Sequence, residues 1–405
     1  MKRLILGLVI SLGLIWIYLA TQTDVDTSKN NVEKTNSKIQ THSLSSIISD
    51  TLPAKNVVDK IDIPEQVPIK IVKQNEIDIE EPTAAQSDSF SITSEHTPTF
   101  NITNPKLRQC LQNKLLVDEG EQPTLERMLY VTRLNCIADG LEGLEDWTQI
   151  HTLDLKGGGL TDISAIKTLV NMEDLVLFKN NLTNLDALED MTQLKTLTAN
   201  QNQIHDVRGL TNLDKLEYLV LKNNNIESLE GLGRLTSLTQ LDLSFNNITN
   251  IRALSGLNNL TRLNLSNNNI QDLTPLANLS NLRRLTISNN QISKLNALAS
   301  LNLLIFLVAD GNQVSQMAPL LNINSLKFVD LSNNLISDIS NLYTFTQVEV
   351  LLLDNNKIED ISPLTTLYQL YNVDLSNNPL NSDCSALSFI LDRKGKLKCE
   401  NDEPM

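Results

Sequence analysis

Residues 238–259 read LTQLDLSFNNITNIRALSGLNN, and residues 260–281 read LTRLNLSNNNIQDLTPLANLSN, with the same residue classes at the same places. The anchor position recurs every 22 residues: Ile150, Met172, Leu194, Leu216, Leu238, Leu260, Leu282, Leu304, Leu326, Val348 and Leu370, eleven times without an insertion. A fixed period of this size predicts a solenoid, because each unit can bury its apolar edge only against its neighbours. In Leu241-Asp242-Leu243 alternate side chains face opposite ways, so the leucines point inward and Gln240, Asp242 and Ser244 outward.

An asparagine follows where the chain must leave the strand, at Asn180, Asn202, Asn224, Asn246, Asn268, Asn290, Asn312, Asn334, Asn356 and Asn378; Gly158 takes its place in the first regular repeat. An amide both donates and accepts, so a ladder of such residues can satisfy backbone groups orphaned by the turn. Beyond it, apolar residues fall every third position, as in Ile248, Ile251, Leu254 and Leu257, a spacing that fits short 3₁₀ turns. Pro275, Pro319 and Pro363 enter this return path in alternate repeats, where proline can open a helical turn. The predicted fold is an α/β solenoid: a horseshoe with a parallel sheet on its concave face, 3₁₀ or short helical turns on its convex face, and a small helical N-terminal cap.

Around this core the chain divides by composition. Residues 1–20, MKRLILGLVISLGLIWIYLA, place Lys2 and Arg3 before 17 uncharged residues, which reads as an uncleaved membrane anchor; bulky Tyr18 disfavours the alternative, a signal peptide cleaved after Ala20. Residues 21–100 are polar and proline-dotted and read as a disordered tether, although Ile69–Ile79 alternates like a strand. Residues 101–149 form the N-terminal cap and a shortened first repeat. They open on Asn104-Pro105 as a helix start, with Leu107, Cys110, Leu111 and Leu115 on one face. The repeats occupy 150–381 and a C-terminal cap 382–405.

The formal charge is −15, about −11 of it in residues 101–405. An acidic body argues against nucleic acid, whose phosphates need a basic stripe. Phosphate loops, nucleophile elbows and metal-ligand spacings are absent from the sequence, so no catalytic residue, metal or cofactor is expected. The two ends of the stack lie about 50 Å apart at 4.8 Å per strand. The four cysteines, if all paired, can therefore pair only locally, as Cys110–Cys136 and Cys384–Cys399. Such bonds imply an oxidising compartment.

DLTPLANLSNLRRLTISNNQI (272–292) and DISPLTTLYQLYNVDLSNNPL (360–380) resemble the leucine-rich-repeat family, and their 22-residue length resembles its internalin-like bacterial branch. The resemblance covers roughly residues 104–400 and implies the fold above and a non-enzymatic binding role. The short stretch after the last repeat holds no wall-linking module, which favours a cell-envelope protein tethered through its N-terminus, with a secreted adhesin as the alternative.

Reading the outward positions down the stack gathers Phe306, Val308, Phe328, Val350 and Leu352 into one expected exposed apolar patch, flanked by Arg262 and Arg284 and rimmed by Asp310, Asp330 and Asp354. A smaller cluster comprises Val176, Phe178, Tyr218 and Val220. Apolar patches with polar rims mark interaction sites, and aromatic residues and arginine are enriched at binding hot spots. The expected partner is another protein, bound through Tyr218, Arg262, Arg284, Phe306, Val308, Phe328, Val350 and Leu352, with a polysaccharide as the alternative. Membrane contact is expected through the N-terminal segment only.

Overall fold

The computed structural model describes residues 100–118 and 120–399, all within the compact unit Ile63–Met405. The expectations for residues 1–20 and for the tether therefore lie outside the described residues, apart from Phe100. Among the described residues, no helix is long and apolar enough to cross a membrane.

Thirteen three-residue strands run in sequence order through one parallel sheet. They are β1 (Arg133–Asn135), β2 (Thr152–Asp154), β3 (Asp174–Val176), β4 (Thr196–Thr198), β5 (Tyr218–Val220), β6 (Gln240–Asp242) and β7 (Arg262–Asn264). There follow β8 (Arg284–Thr286), β9 (Phe306–Val308), β10 (Phe328–Asp330), β11 (Val350–Leu352), β12 (Asn372–Asp374) and β13 (Lys396–Lys398). Their shortness follows from the repeat, since only one inward residue per strand sits between two outward ones. Leu241, Leu243, Ile248, Ile251, Leu254, Leu257 and Leu260 are all 2% exposed or less, so each coil closes on its own aliphatic centre. The return path makes 3₁₀ turns in most repeats, and Pro275, Pro319 and Pro363 each sit at the start of one. Asp272 accepts from the Thr274 N–H at 2.8 Å and Asp360 from the Ser362 N–H at 2.8 Å, which explains the polar residue opening each return turn.

The ten asparagines stitch the coils together. Asn246 Nδ2 donates to the carbonyls of Leu243 in its own repeat and Leu221 in the preceding one, both at 3.0 Å, and its Oδ1 accepts from the Ile226 N–H at 3.0 Å. The same triad recurs from Asn180 to Asn378. Gly158, where the ladder would begin, has no room for a side chain: a Cβ there would lie 1.7 Å from the Ala138 carbonyl oxygen.

At the N-terminal end, helix α1 (Pro105–Leu115) is capped by Asn104, whose side chain accepts from the Leu107 N–H, and buries Leu107, Leu111 and Leu115. A short α2 (Leu125–Leu129) follows. In the first repeat Arg133 pairs with Thr152, 19 residues on instead of 22, so that repeat is short by one three-residue step. At the C-terminal end, α3 (Phe389–Asp392) leads into β13, a strand unforeseen in the sequence because Lys-Leu-Lys carries too few residues to show a period. Disulfides staple both caps: Cys110–Cys136 with Cα atoms 5.8 Å apart, and Cys384–Cys399 at 6.3 Å.

Replacing Asn268 by Ala leaves the buried Ile248 N–H without its partner and takes one of two amide donors from each of the Leu243 and Leu265 carbonyls, which keep those of Asn246 and Asn290. Urea unfolding followed by circular dichroism should register a loss of about 1–3 kcal/mol. A loss below about 0.5 kcal/mol would show that water fills the amide's role.

Candidate binding face

Parallel pairing in register puts like positions of successive repeats side by side at about 4.8 Å. Along β5–β11 the first outward column therefore runs Tyr218, Gln240, Arg262, Arg284, Phe306, Phe328, Val350. The second runs Val220, Asp242, Asn264, Thr286, Val308, Asp330, Leu352.

The exposed apolar patch expected from the sequence is corrected by this lateral packing. Phe306 and Phe328 stack with ring centroids 4.3 Å apart and planes 17° from parallel. The Arg284 guanidinium lies 4.3 Å from the Phe306 centroid, and Val350 pairs in register with Phe328 on the other side. Phe306, Phe328 and Val350 are 9%, 3% and 1% exposed, so the four side chains cover one another. Tyr218, Arg262, Arg284, Val308 and Leu352 stay half-exposed. The smaller cluster is divided: Val176 on β3 and Val220 on β5 have Thr198 of β4 between them.

Beside the stack lie Asp310, Asp330 and Asp354. Burial, then the neighbouring carboxylate of Asp310, pushes the Asp330 carboxyl up to about 7, against hydrogen bonds from the Ser332 N–H and hydroxyl at 3.0 and 2.7 Å. Val308 and Leu352, its register partners, supply the apolar surroundings. Asp310 is raised chiefly by burial, opposed by a hydrogen bond from Ser288. The Ser332 hydroxyl also lies within hydrogen-bonding reach of Asp354, so its one proton serves either carboxylate in turn. Among the described residues no group of three His, Cys, Asp or Glu side chains is placed to hold a metal ion.

On the other side of the stack the face opens into a cleft of about 290 Å³ lined by Tyr218, Gln240, Asp242, Arg262, Asn264, Arg284 and Thr286. Burial, then Asp242, raises the Tyr218 hydroxyl, and Arg262 opposes them. Burial, then Arg262, lowers the proton affinity of Arg284.

Phe245 was not picked out from the sequence. The residue just before each ladder asparagine takes a left-handed backbone: Asn223, Asn267, Asn289, Asn333, Asn355 and Asn377 do so at φ between 51° and 57°, Lys179 and Gln201 at 57° and 55°, and Gly311 at 64°. Phe245 holds φ 56° there, is 46% exposed and lies 5.2 Å from the Lys222 ammonium. A bulky residue in that conformation costs roughly 1–2 kcal/mol against glycine or asparagine, and strain of this kind gathers at functional sites. The signal was available in LDLSFNN set against LNLSNNN in the next repeat.

The family model "Leucine Rich repeats (2 copies)" matches residues 192–234, 214–258 and 258–300. No curated protein matches the chain. Among solved structures, an internalin (InlF) from Listeria monocytogenes is similar at 26% identity over 78% of this chain and 100% of its own, with a TM-score of 0.64. A leucine-rich-repeat protein of Leptospira interrogans shares 21% identity over 70% of this chain and 78% of its own, at 0.63. The functional domain of InlJ from Listeria monocytogenes shares 22% over 75% and 61%, at 0.58. The last two show likeness of fold alone.

Because the folded-state pKa of Asp330, about 7, lies above that of an ordinary carboxyl, folding takes up a proton between roughly pH 4 and that value. That residue's contribution therefore worsens as pH rises through the window and is level beyond it. Asp330→Asn should match the wild type in urea near pH 4 and exceed it at pH 8; equal stability at both pH values would refute the raised value. Phe245→Asn should gain about 1 kcal/mol in the same assay, and a loss would mean that the ring makes a stabilising contact that outweighs its backbone.

Proposed function

We propose, from the premise that this chain is an internalin-like leucine-rich-repeat protein, that it is a non-enzymatic recognition protein whose sheet face binds another protein. One observation carries the reading: the outward side chains of β2–β8 stay half-exposed, while nearly every inward neighbour is buried. Lateral neighbours shield these side chains from one another, and the face retains aromatic, cationic and acidic groups that contribute little to the core. Tyr218, Arg262 and Arg284 are the direct contacts in this reading, with Val308 and Leu352 at their side. Phe306, Phe328 and Val350 act as a rigid floor that fixes the Arg284 guanidinium, and Phe245 lies at the rim.

The two disulfides support an extracytoplasmic location, since such bonds persist in oxidising compartments. On this reading residues 1–20 hold the chain at a cell membrane, residues 21–100 tether the repeats in the envelope, and secretion is the alternative.

A photo-crosslinking residue at Gln240, on the face, should give protease-sensitive adducts in intact cells. The same residue at Asn296, in a 3₁₀ turn on the opposite wall, should give none. Equal adducts from both walls would sink the reading, and protease-resistant adducts from Gln240 would turn it toward a polysaccharide.

A further inference from the structure

We infer that the cleft between Tyr218 and Arg284 is a carboxylate subsite, receiving one carboxylate of the partner protein on Arg262 and Arg284. The inference rests on the sheet-face reading above and specifies what that face selects.

Arg262 and Arg284 are register partners on β7 and β8, so the fold sets two cations side by side. Like charges directly opposite in a sheet repel, and nothing in the aliphatic core requires an arginine at an outward position. Among the described residues, the Arg284 guanidinium has the Phe306 ring at 4.3 Å and neither an ion pair nor a hydrogen-bond acceptor. It is half-exposed, its proton affinity lowered by burial and by Arg262. Five donors held on a ring and short of acceptors form a preorganised fork for an anion. An anion between the two arginines would offset the repulsion and supply the Arg284 guanidinium with acceptors.

Charge and size narrow the anion. Two arginines and Asp242 line the cleft, giving +2 and −1, a net +1 that a single monoanion neutralises. A phosphate or sulfate dianion would leave excess negative charge against Asp242. The volume of about 290 Å³ admits one acidic side chain or a chain terminus and little more. The apolar column beyond Arg284 is closed to the visitor by its own stacking, so selection at this place rests on the charged group.

The full chain, immobilised, is tested on an array of random-sequence peptides. Each acidic peptide is paired with its Asn/Gln counterpart, and each pair is made with free and with amidated C-termini. Peptides that carry the recognised carboxylate, on an acidic side chain or at a free C-terminus, should be retained about tenfold more strongly than counterparts lacking it. Arg284→Gln and Arg262→Gln should each abolish that preference, Arg284→Lys should restore part of it, and Arg252→Gln, on the turn wall, should leave it intact. Melting temperatures establish that each variant is folded. Retention that survives amidation assigns the carboxylate to a side chain, and retention equal within each free-terminus pair but lost on amidation assigns it to the chain terminus. The subsite is overturned if peptides with and without a carboxylate are retained alike, if the preference persists in folded Arg284→Gln, or if a uronic-acid polymer is retained in place of peptides. If crosslinking from Gln240 succeeds while the peptide preference is absent, the subsite alone falls; if both are absent, the face falls with it.

Discussion

Each coil must leave its strand abruptly, and an abrupt turn inside a packed stack strands backbone N–H and C=O groups away from water. The ladder asparagine answers that constraint three times over, donating to two carbonyls and accepting from one N–H in the repeat before it. Two of those three bonds cross between repeats, so the residue that lets one coil turn also sets its rise onto the previous one. The spacing and register of the sheet follow, and with them the columns on its outer side. An aliphatic residue of similar volume could fill the space but not meet the polar groups, each of which costs roughly 1–3 kcal/mol when left buried and unpaired.

A lattice so regular makes the outer face a consequence of neighbours. In a globular core a phenylalanine is buried by residues remote in sequence. Here Phe306 is covered by the residues 22 positions before and after it, Arg284 and Phe328. The same closeness brings Arg262 against Arg284 and Asp330 toward Asp310 and Asp354. The face thus holds two electrostatically unfavourable clusters on either side of a dry aromatic stack. The coil interior requires neither.

The caps solve a different problem. A solenoid ends on exposed aliphatic residues and an unpaired strand edge, and the chain meets this with α1 at one end and α3 with β13 at the other. Each closure is short and has little core of its own. A disulfide at each end compensates by restraining the unfolded chain.

The 22-residue period alone determined the parallel sheet, the inward leucines, the asparagine ladder and the proline-started turns, because in a repeat every contact partner sits at a known sequence distance. The local disulfide pairing was legible for the same reason, since a stack keeps its ends apart. What the period could not convey was how much of an outward side chain its neighbours leave uncovered. Phe306, Phe328 and Val350 occupy outward positions, yet they are buried by stacking, a result of ring orientation and of one guanidinium's placement that alternation does not encode. Phe245 escaped notice because the left-handed angle that makes a bulky ring unusual there shows only in the folded backbone, and β13 because three residues carry no period. Position along the coil follows from sequence, whereas exposure depends on the shapes of adjoining side chains, which only the folded chain brings together.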